Sequence, residues 1–279
     1  TLFLFAGDLN GDGKPDIAVT NGTSNTVSVL LNTTTTGSAT PTFSAKTDFA
    51  VGSNARNVAI ADLNGYGNPD LAVTNNSGNS VSVLLNTTSP GASTPTFSAS
   101  TDFTTGTAPY PVSIADLNGD GKPDLVVGNN TASSISVLLN TTTTGASTPT
   151  FAAKTDFTVG SQPREVVIGD LNGDGKPDLA VVNFSSGTVS ILLNNALFPL
   201  PVELASFTSS VNSNNVTLNW STTQEQNNKG FEIERNSFGA GWKKIGYVEG
   251  HGTINSQQNY TFKDNSLNTG RYSYRLKQI

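Results

Sequence analysis

Asp-Leu-Asn-Gly begins at Asp8, Asp62, Asp116 and Asp170, at an interval of 54 residues each time. The intervening segments repeat too: residues 32–52, 86–106 and 140–160 carry Pro-Thr-Phe and Thr-Asp-Phe at equivalent places. A fixed period of this length confines the chain to an array of one supersecondary unit, each copy burying a face on its neighbours.

Each unit reads as four short strands, shown by the second copy. Residues 57–63 alternate apolar and polar. Residues 70–74 form a short apolar run after the motif. Residues 80–85 alternate again through Val81, Val83 and Leu85, and residues 96–103 carry Phe97 and Phe103. Gly, Asn, Pro and Ser clusters separate them, as turns demand, and no segment sustains a period of 3.6. The expected fold is all-β, with four-stranded propeller-type blades in tandem over residues 1–195. A solenoid is the competitor; radial stacking is favoured because it buries both faces of each sheet. The fourth unit breaks off. After Ile191-Leu192-Leu193-Asn194 no Pro-Thr-Phe strand follows, so its outer strand is expected from another segment or a second chain. The chain contains no methionine, and its first residues already look like a strand, so a longer precursor with further units upstream is expected.

The motif itself carries the chemistry. Asp8-Leu9-Asn10-Gly11-Asp12-Gly13-Lys14-Pro15-Asp16 places side-chain oxygens at loop positions 1, 3, 5 and 9. Gly13 permits a sharp turn that a Cβ would hinder. Hard oxygens at alternating positions suit Ca²⁺, which takes about 6–8 oxygens at roughly 2.3–2.6 Å. The candidate ligands are Asp8, Asn10, Asp12 and Asp16, with the carbonyl of Lys14. Their equivalents are Asp116, Asn118, Asp120, Lys122 and Asp124, then Asp170, Asn172, Asp174, Lys176 and Asp178. The second loop offers Asp62, Asn64, Asn68 and Asp70, but Tyr66 replaces the central aspartate. Three strong calcium sites and one weakened site are therefore expected. An EF-hand is excluded: Val19 stands where the bidentate Glu would be, and no helix flanks the loop. Asx-rich turns without metal are the bland alternative. Against it, three intact copies each bring three carboxylates together.

The composition agrees. The formal charge is -6, and eleven of the 21 acids lie in the loops. Four bound Ca²⁺ would bring the total to about +2, so the acidity reads as metal capacity. No basic cluster indicates nucleic acid, and no apolar run is long enough for a membrane span. Cysteine is absent, and the one histidine, His251, excludes a His-rich zinc site.

On these motifs, residues 1–195 resemble FG-GAP/VCBS repeats, the blades of integrin-α-type propellers and of many bacterial surface proteins. The resemblance implies a calcium loop between the first two strands of each blade and partners on the opposite face. That face would carry residues 75–79, 129–133 and 184–187, with Arg56, Tyr110 and Arg164 nearby.

After Pro199-Leu200-Pro201 the period stops and Glu, Lys, Arg and Trp appear. Residues 196–201 read as a linker. Residues 216–220, 231–235 and 272–276 alternate as strands of an immunoglobulin- or fibronectin-III-like sandwich over 202–279, with Trp220 and Trp242 in or near its core. Pro201-Val202-Glu203-Leu204, Gly230-Phe231-Glu232-Ile233-Glu234-Arg235 and Tyr274-Arg275-Leu276-Lys277-Gln278 resemble the module before the sorting signal in Bacteroidetes-type secreted proteins. The resemblance implies type IX secretion.

The expected function is a secreted, cell-surface adhesion or binding scaffold with structural calcium and a protein or glycan partner. The alternative is a structural subunit that self-associates into a fibre or surface layer through strand or blade sharing. No catalytic residues are expected: no Gly-x-Ser-x-Gly, phosphate loop or nucleophile beside a histidine occurs. Glu232 and Glu234 are expected as solvated strand positions and His251 as an exposed turn. Asn32, Asn86 and Asn140 begin N-glycosylation sequons that also read as Asn/Thr-rich turns.

Overall fold

The computed structural model describes residues 3–195, 202–237, 241–254 and 256–279. Thr1, Leu2 and the expected linker at 196–201 lie outside these residues. The chain divides into two compact units, Thr1–Asn195 and Ala196–Ile279. Among the described residues every regular element is a strand, and no helix is long and apolar enough to cross a membrane.

The first unit holds four sheets in chain order. The first contains β1 (Leu4–Gly7), β2 (Asp16–Asn21), β3 (Thr26–Leu30) and β4 (Thr47–Ala50). The second contains β5 (Ala55–Ala61), β6 (Asp70–Asn75), β7 (Ser80–Leu84) and β8 (Thr101–Thr104). The third contains β9 (Pro109–Ala115), β10 (Asp124–Asn129), β11 (Ser134–Leu138) and β12 (Thr155–Thr158). The fourth has β13 (Pro163–Gly169), β14 (Asp178–Asn183) and β15 (Thr188–Leu192), and no outer strand among the described residues. Every sheet is an antiparallel meander, so the motif loops fall at one end and the β6–β7-type hairpins at the other.

The core lies between sheets. Leu9, Val27, Val29 and Leu31 of the first sheet meet Val58, Leu71, Val73 and Leu84 of the second. Leu63, Val81, Val83 and Leu85 then meet Val112, Leu125, Val127 and Leu138 of the third. In the second sheet β6 and β7 are buried on both faces, so the polar members Thr74, Ser80 and Ser82 are buried along with the apolar ones, where the alternation suggested a half-exposed strand. The outer strand is shorter than the expected 96–103. Phe97 makes an isolated bridge to Asn86, and regular pairing resumes only at Thr101. Ser98 causes the break, because its Oγ takes the Leu85 N–H at 3.0 Å in place of a backbone carbonyl.

Gly106 permits the next close approach. A Cβ there would fall 2.6 Å from Asn129 of the hairpin beside it. Asn129 in turn donates to Ser136 Oγ, which donates to Asp156. The same chain of bonds runs Asn21–Ser28–Asp48 and Asn75–Ser82–Asp102. It ties three strands of each complete sheet together. In the fourth sheet it stops at Asn183–Ser190.

The second unit is built on one strand. It contains β16 (Val202–Asn212), β17 (Asn215–Ser237), β18 (Trp242–Ile254), β19 (Gln258–Asp264) and β20 (Tyr272–Gln278). The first half of β17 pairs with β16 and β19, and its second half with β18 and β20. Trp220 and Phe231 would lie about 35 Å apart on a straight strand, yet their ring centroids are 5.5 Å apart. The strand therefore doubles back, and its two halves face each other across Leu218, Trp220, Phe231, Ile233 and Tyr260. Residues 216–220 and 231–235, expected as separate strands, belong to this one element. Trp220 is buried as expected; Trp242 is not. It lies at the surface with the Arg275 guanidinium 4.4 Å over its ring.

Glu225 sits at the bend. Its carboxylate accepts hydrogen bonds from Thr222 Oγ1, Asn228 Nδ2, the His251 N–H and the Tyr260 hydroxyl. Burial presses its pKa upward, but these donors, Tyr260 foremost, outweigh that and hold it below the ordinary carboxylate range. His251, expected in a turn, lies in β18 with Nδ1 2.7 Å from the Tyr260 oxygen. Glu232 bridges Lys244 and Lys277, and Glu234 pairs with Arg275. Both acids are cross-strand partners rather than free solvated charges.

Candidate metal centre

Each motif loop joins the first two strands of a sheet. Its first aspartate organises it. Asp8 accepts the Asp12 N–H on Oδ1 at 3.2 Å and the Gly13 N–H on Oδ2 at 2.8 Å. Asn10 Oδ1 also takes the Asp12 N–H, and Asp12 Oδ1 takes that of Lys14. These are Asx turns in series. They work because Gly13 adopts φ 82°, as Gly67, Gly121 and Gly175 do at 96°, 81° and 81°. Asp116, Asn118 and Asp120 repeat the pattern with Lys122, and Asp170, Asn172 and Asp174 repeat it with Lys176. Loop two keeps it too: the Tyr66 and Gly67 N–H groups reach Asp62, and Tyr66 N–H reaches Asn64 Oδ1. The loop shape therefore does not depend on a carboxylate at the fifth position.

The last aspartate is set differently. Asp16 is fully buried, and its two oxygens accept the N–H groups of Leu9 at 2.8 Å and Asn32 at 2.7 Å. Asp70, Asp124 and Asp178 hold the equivalent pairs Leu63/Asn86, Leu117/Asn140 and Leu171/Asn194. They latch the loop to the end of the third strand, a role the sequence pattern did not reveal. Burial pushes Asp70 and Asp124 up to about 6, against the pull of those two N–H groups, and the nearby loop acids add to the rise. Asp16 is raised for the same reasons, with Asp12 and Asp8 contributing. Exposed Asp170 goes the other way, its charge held by the Gly175, Gly173 and Asp174 N–H groups.

Neighbouring units clasp these loops. Asn86 Nδ2 donates to Leu9 O and Pro69 O, and Asn140 and Asn194 repeat this on Leu63 O and Leu117 O. Gly91 N–H binds Asn10 O at 2.7 Å while Asn10 Nδ2 returns a bond to Ala92 O; Gly145, Asn64 and Ala146 do the same. Among the described residues no neighbour segment takes up Asn118 or Asn172 in this way. There the Gly119 and Gly173 N–H groups turn inward to Asp116 and Asp170 at 2.7 Å. The carbonyl and N–H in question belong to one peptide group, so the clasp decides which way that peptide faces. Asn86 and Asn140 are buried. The nitrogen a glycan would need is committed to two carbonyls, which removes the exposed-loop setting for those sequons.

The donors fit a hard divalent cation in kind: oxygens only, from Asp and Asn side chains and a position-seven carbonyl, with like charges crowded on one loop. Among the described residues no three acidic or histidine side chains are gathered as a ready-made cage. The lysine of the first loop partly fills the electrostatic role, with Lys14 Nζ 3.6 Å from Asp12. In loop two, Asn68 instead reaches Thr88 O at 3.5 Å.

At the opposite end, Arg164 lies 4.4 Å and Arg56 6.0 Å from the Tyr110 ring centroid. Phe3 meets the same ring edge-on at 5.4 Å. The Nε atoms of both arginines are buried without a hydrogen-bond partner.

Tandem antiparallel sheets, each with an Asp-rich loop between its first two strands, define a β-repeat array. A family model described as FG-GAP-like repeat matches residues 8–73, 62–127 and 116–181, each match running from one loop into the second strand of the next unit. The chain belongs to the FG-GAP-like repeat family. No curated protein matches it. Among solved structures, the crystal structure of BBS1N in complex with ARL6DN, soaked with lead, is 14% identical with a TM-score of 0.39. That alignment covers 91% of this chain and 69% of the other.

Proposed function

We propose that the repeat array is a calcium-stiffened, non-enzymatic binding scaffold, exported from the cell and presented at its surface. The observation behind this is the loop chemistry. Three loops present the same Asp, Asn, Asp and Asp oxygens, and at two of the four loops burial and neighbouring charge push the last aspartate up to about 6. A bound cation favours the ionised carboxylates and offsets that cost. In the first loop Asp8, Asn10, Asp12, Asp16 and the Lys14 carbonyl would hold it, with their equivalents in the third and fourth. Loop two, with Tyr66, would bind weakly. Extracellular modules hold calcium with Kd of about 10⁻⁴–10⁻³ M, which suits a structural role outside the cell.

The partner surface in this reading is the end opposite the loops. Arg56 and Arg164 flank Tyr110, and no described carboxylate pairs with either. Such a site suits an acidic group on a protein or glycan. Titration calorimetry with CaCl₂, paired with melting curves in EDTA and in millimolar calcium, tests the metal. About three sites and a higher Tm are expected; no heat and identical melting would end the calcium reading.

A further inference from the structure

Arg56, Tyr110 and Arg164 stand 54 residues apart, at one position in three successive units. Each lies near the start of the first strand of its sheet, where the backbone bends in the same way. Shortly before it comes a non-glycine residue in the left-handed region: Asn54 at φ 61°, Ala108 at 56° and Gln162 at 57°. Such residues rarely adopt this conformation, and it persists only where the surroundings enforce it. Pairing to the second strand then slips, between Ala55 and Val58, between Pro109 and Val112, and between Pro163 and Glu165. A bulge of this kind re-aims a side chain. Thr20 and Thr74, both buried, fix the result by donating to Arg56 O at 2.8 Å and Tyr110 O at 2.9 Å.

These bends bring positive charge together. Both guanidinium carbons lie against the Tyr110 ring, 6.0 and 4.4 Å from its centroid, and so within about 10 Å of each other. Arg164 is also 5.4 Å from the centroid of Phe184, so two rings hold it. Stacking fixes a guanidinium while leaving its N–H edge for a planar anion. Among the described residues neither arginine has an ion-pair partner, and Glu165, next in the chain, pairs with neither. Two like charges are thus held close, and an anion between them would relieve the repulsion.

The rim narrows the choice of anion. Residues 75–79, 129–133 and 183–187, the hairpins at this end, hold Asn, Ser, Thr, Gly, Ala and Phe and no charged residue. An acidic protein surface is matched by an extended basic one, which these turns do not supply. Hydroxyl and amide groups around two arginines, with Phe184 68% exposed beside them, suit a sugar. Its hydroxyls would meet the rim, its C–H face the ring, and a carboxylate the guanidiniums.

We propose that this end binds the carboxylate of a uronic-acid residue in an acidic polysaccharide, with Arg56 and Arg164 as the anion-binding pair and Tyr110 and Phe184 as the rings that hold them. The assignment rests on the reading of this end as the partner surface and names its ligand.

The probe is a short oligogalacturonate, titrated by calorimetry into the 279-residue chain in EDTA, where calcium cannot bridge sugar and protein, and again in calcium. Its uncharged methyl ester and an oligoglutamate peptide are the controls. The oligogalacturonate is expected to bind in both buffers, more weakly as NaCl rises, and the ester not at all. Arg56→Gln and Arg164→Gln, each checked for unchanged melting, are expected to weaken binding about tenfold or more. The ester comparison alters only the ligand, so it stands even where a variant fails to fold. No binding of the oligogalacturonate, equal binding of its ester, or an affinity untouched by both substitutions overturns the proposal. Oligoglutamate that binds more tightly than the sugar at the same arginines overturns it too, while keeping the partner end; if neither acid binds, the partner reading falls with it. Identical melting in EDTA and calcium, with sugar binding intact, retains this proposal and removes the calcium reading alone.

Discussion

Asp70 and Glu225 are both buried carboxylates, and the molecule treats them in opposite ways. Asp70, in the repeats, receives two backbone N–H groups while Asp62 stands nearby, and its pKa rises to about 6. Glu225, in the C-terminal unit, receives four donors, and its pKa falls. The number of donors and the sign of the neighbouring charge decide the outcome, not burial alone. The C-terminal unit satisfies its buried acid from within. The repeats leave theirs short of positive charge.

The sharpest way to break this contrast is Glu225→Ala. It orphans four donors at the bend and is expected to cost the C-terminal unit about 3–5 kcal/mol. Its thermal transition should fall by more than about 10 °C while that of the array stays put; a joint shift of both would refute the separation. Next is Asn86→Ala, which removes one clasp and is expected to cost the array about 2–3 kcal/mol in urea unfolding. Asn32→Ala, whose amide donates to one carbonyl, Pro15 O, rather than two, should cost about 1 kcal/mol. Equal losses would show that the clasp contributes nothing.

Calcium removal comes third. Each loaded loop should lose about 1.4 kcal/mol relative to calcium at ten times Kd. Tyr66→Asp should add one site to the stoichiometry and enlarge the calcium-dependent gain in Tm. The smallest effects are those of pH, and they run in opposite senses. Glu225 has a lowered folded value, so its contribution is complete above the ordinary 4.5 and fades as acid takes the pH below that. Asp70 and Asp124 have raised values, so calcium-free array stability should be greatest below 3.8 and decline as pH rises through about 6. Tm against pH for each transition checks both signs.

The repeat was legible because its period and its Asp-Gly turns are written in residue identity, and the four motif loops fall between strands where the spacing places them. Three features were not legible. The outer strand appeared to begin at residue 96, because Phe97 and Phe103 mark apolar contact without showing that Ser98 interrupts the ladder between them. The buried aspartate latch was hidden because the same Asp suits a ligand and a backbone acceptor equally. The bend in β17 was hidden because Glu225 and Asn228 look like solvent residues until the donors from β18 and β19 are in place.

Because β17 runs through both layers of the C-terminal unit, neither layer can release its central strand while the other keeps hold of it. Opening should be all-or-none. Amides at Leu218 and Ile233, on opposite sides of the bend, should exchange with solvent deuterium at the same free energy, and denaturant should leave no half-folded species behind.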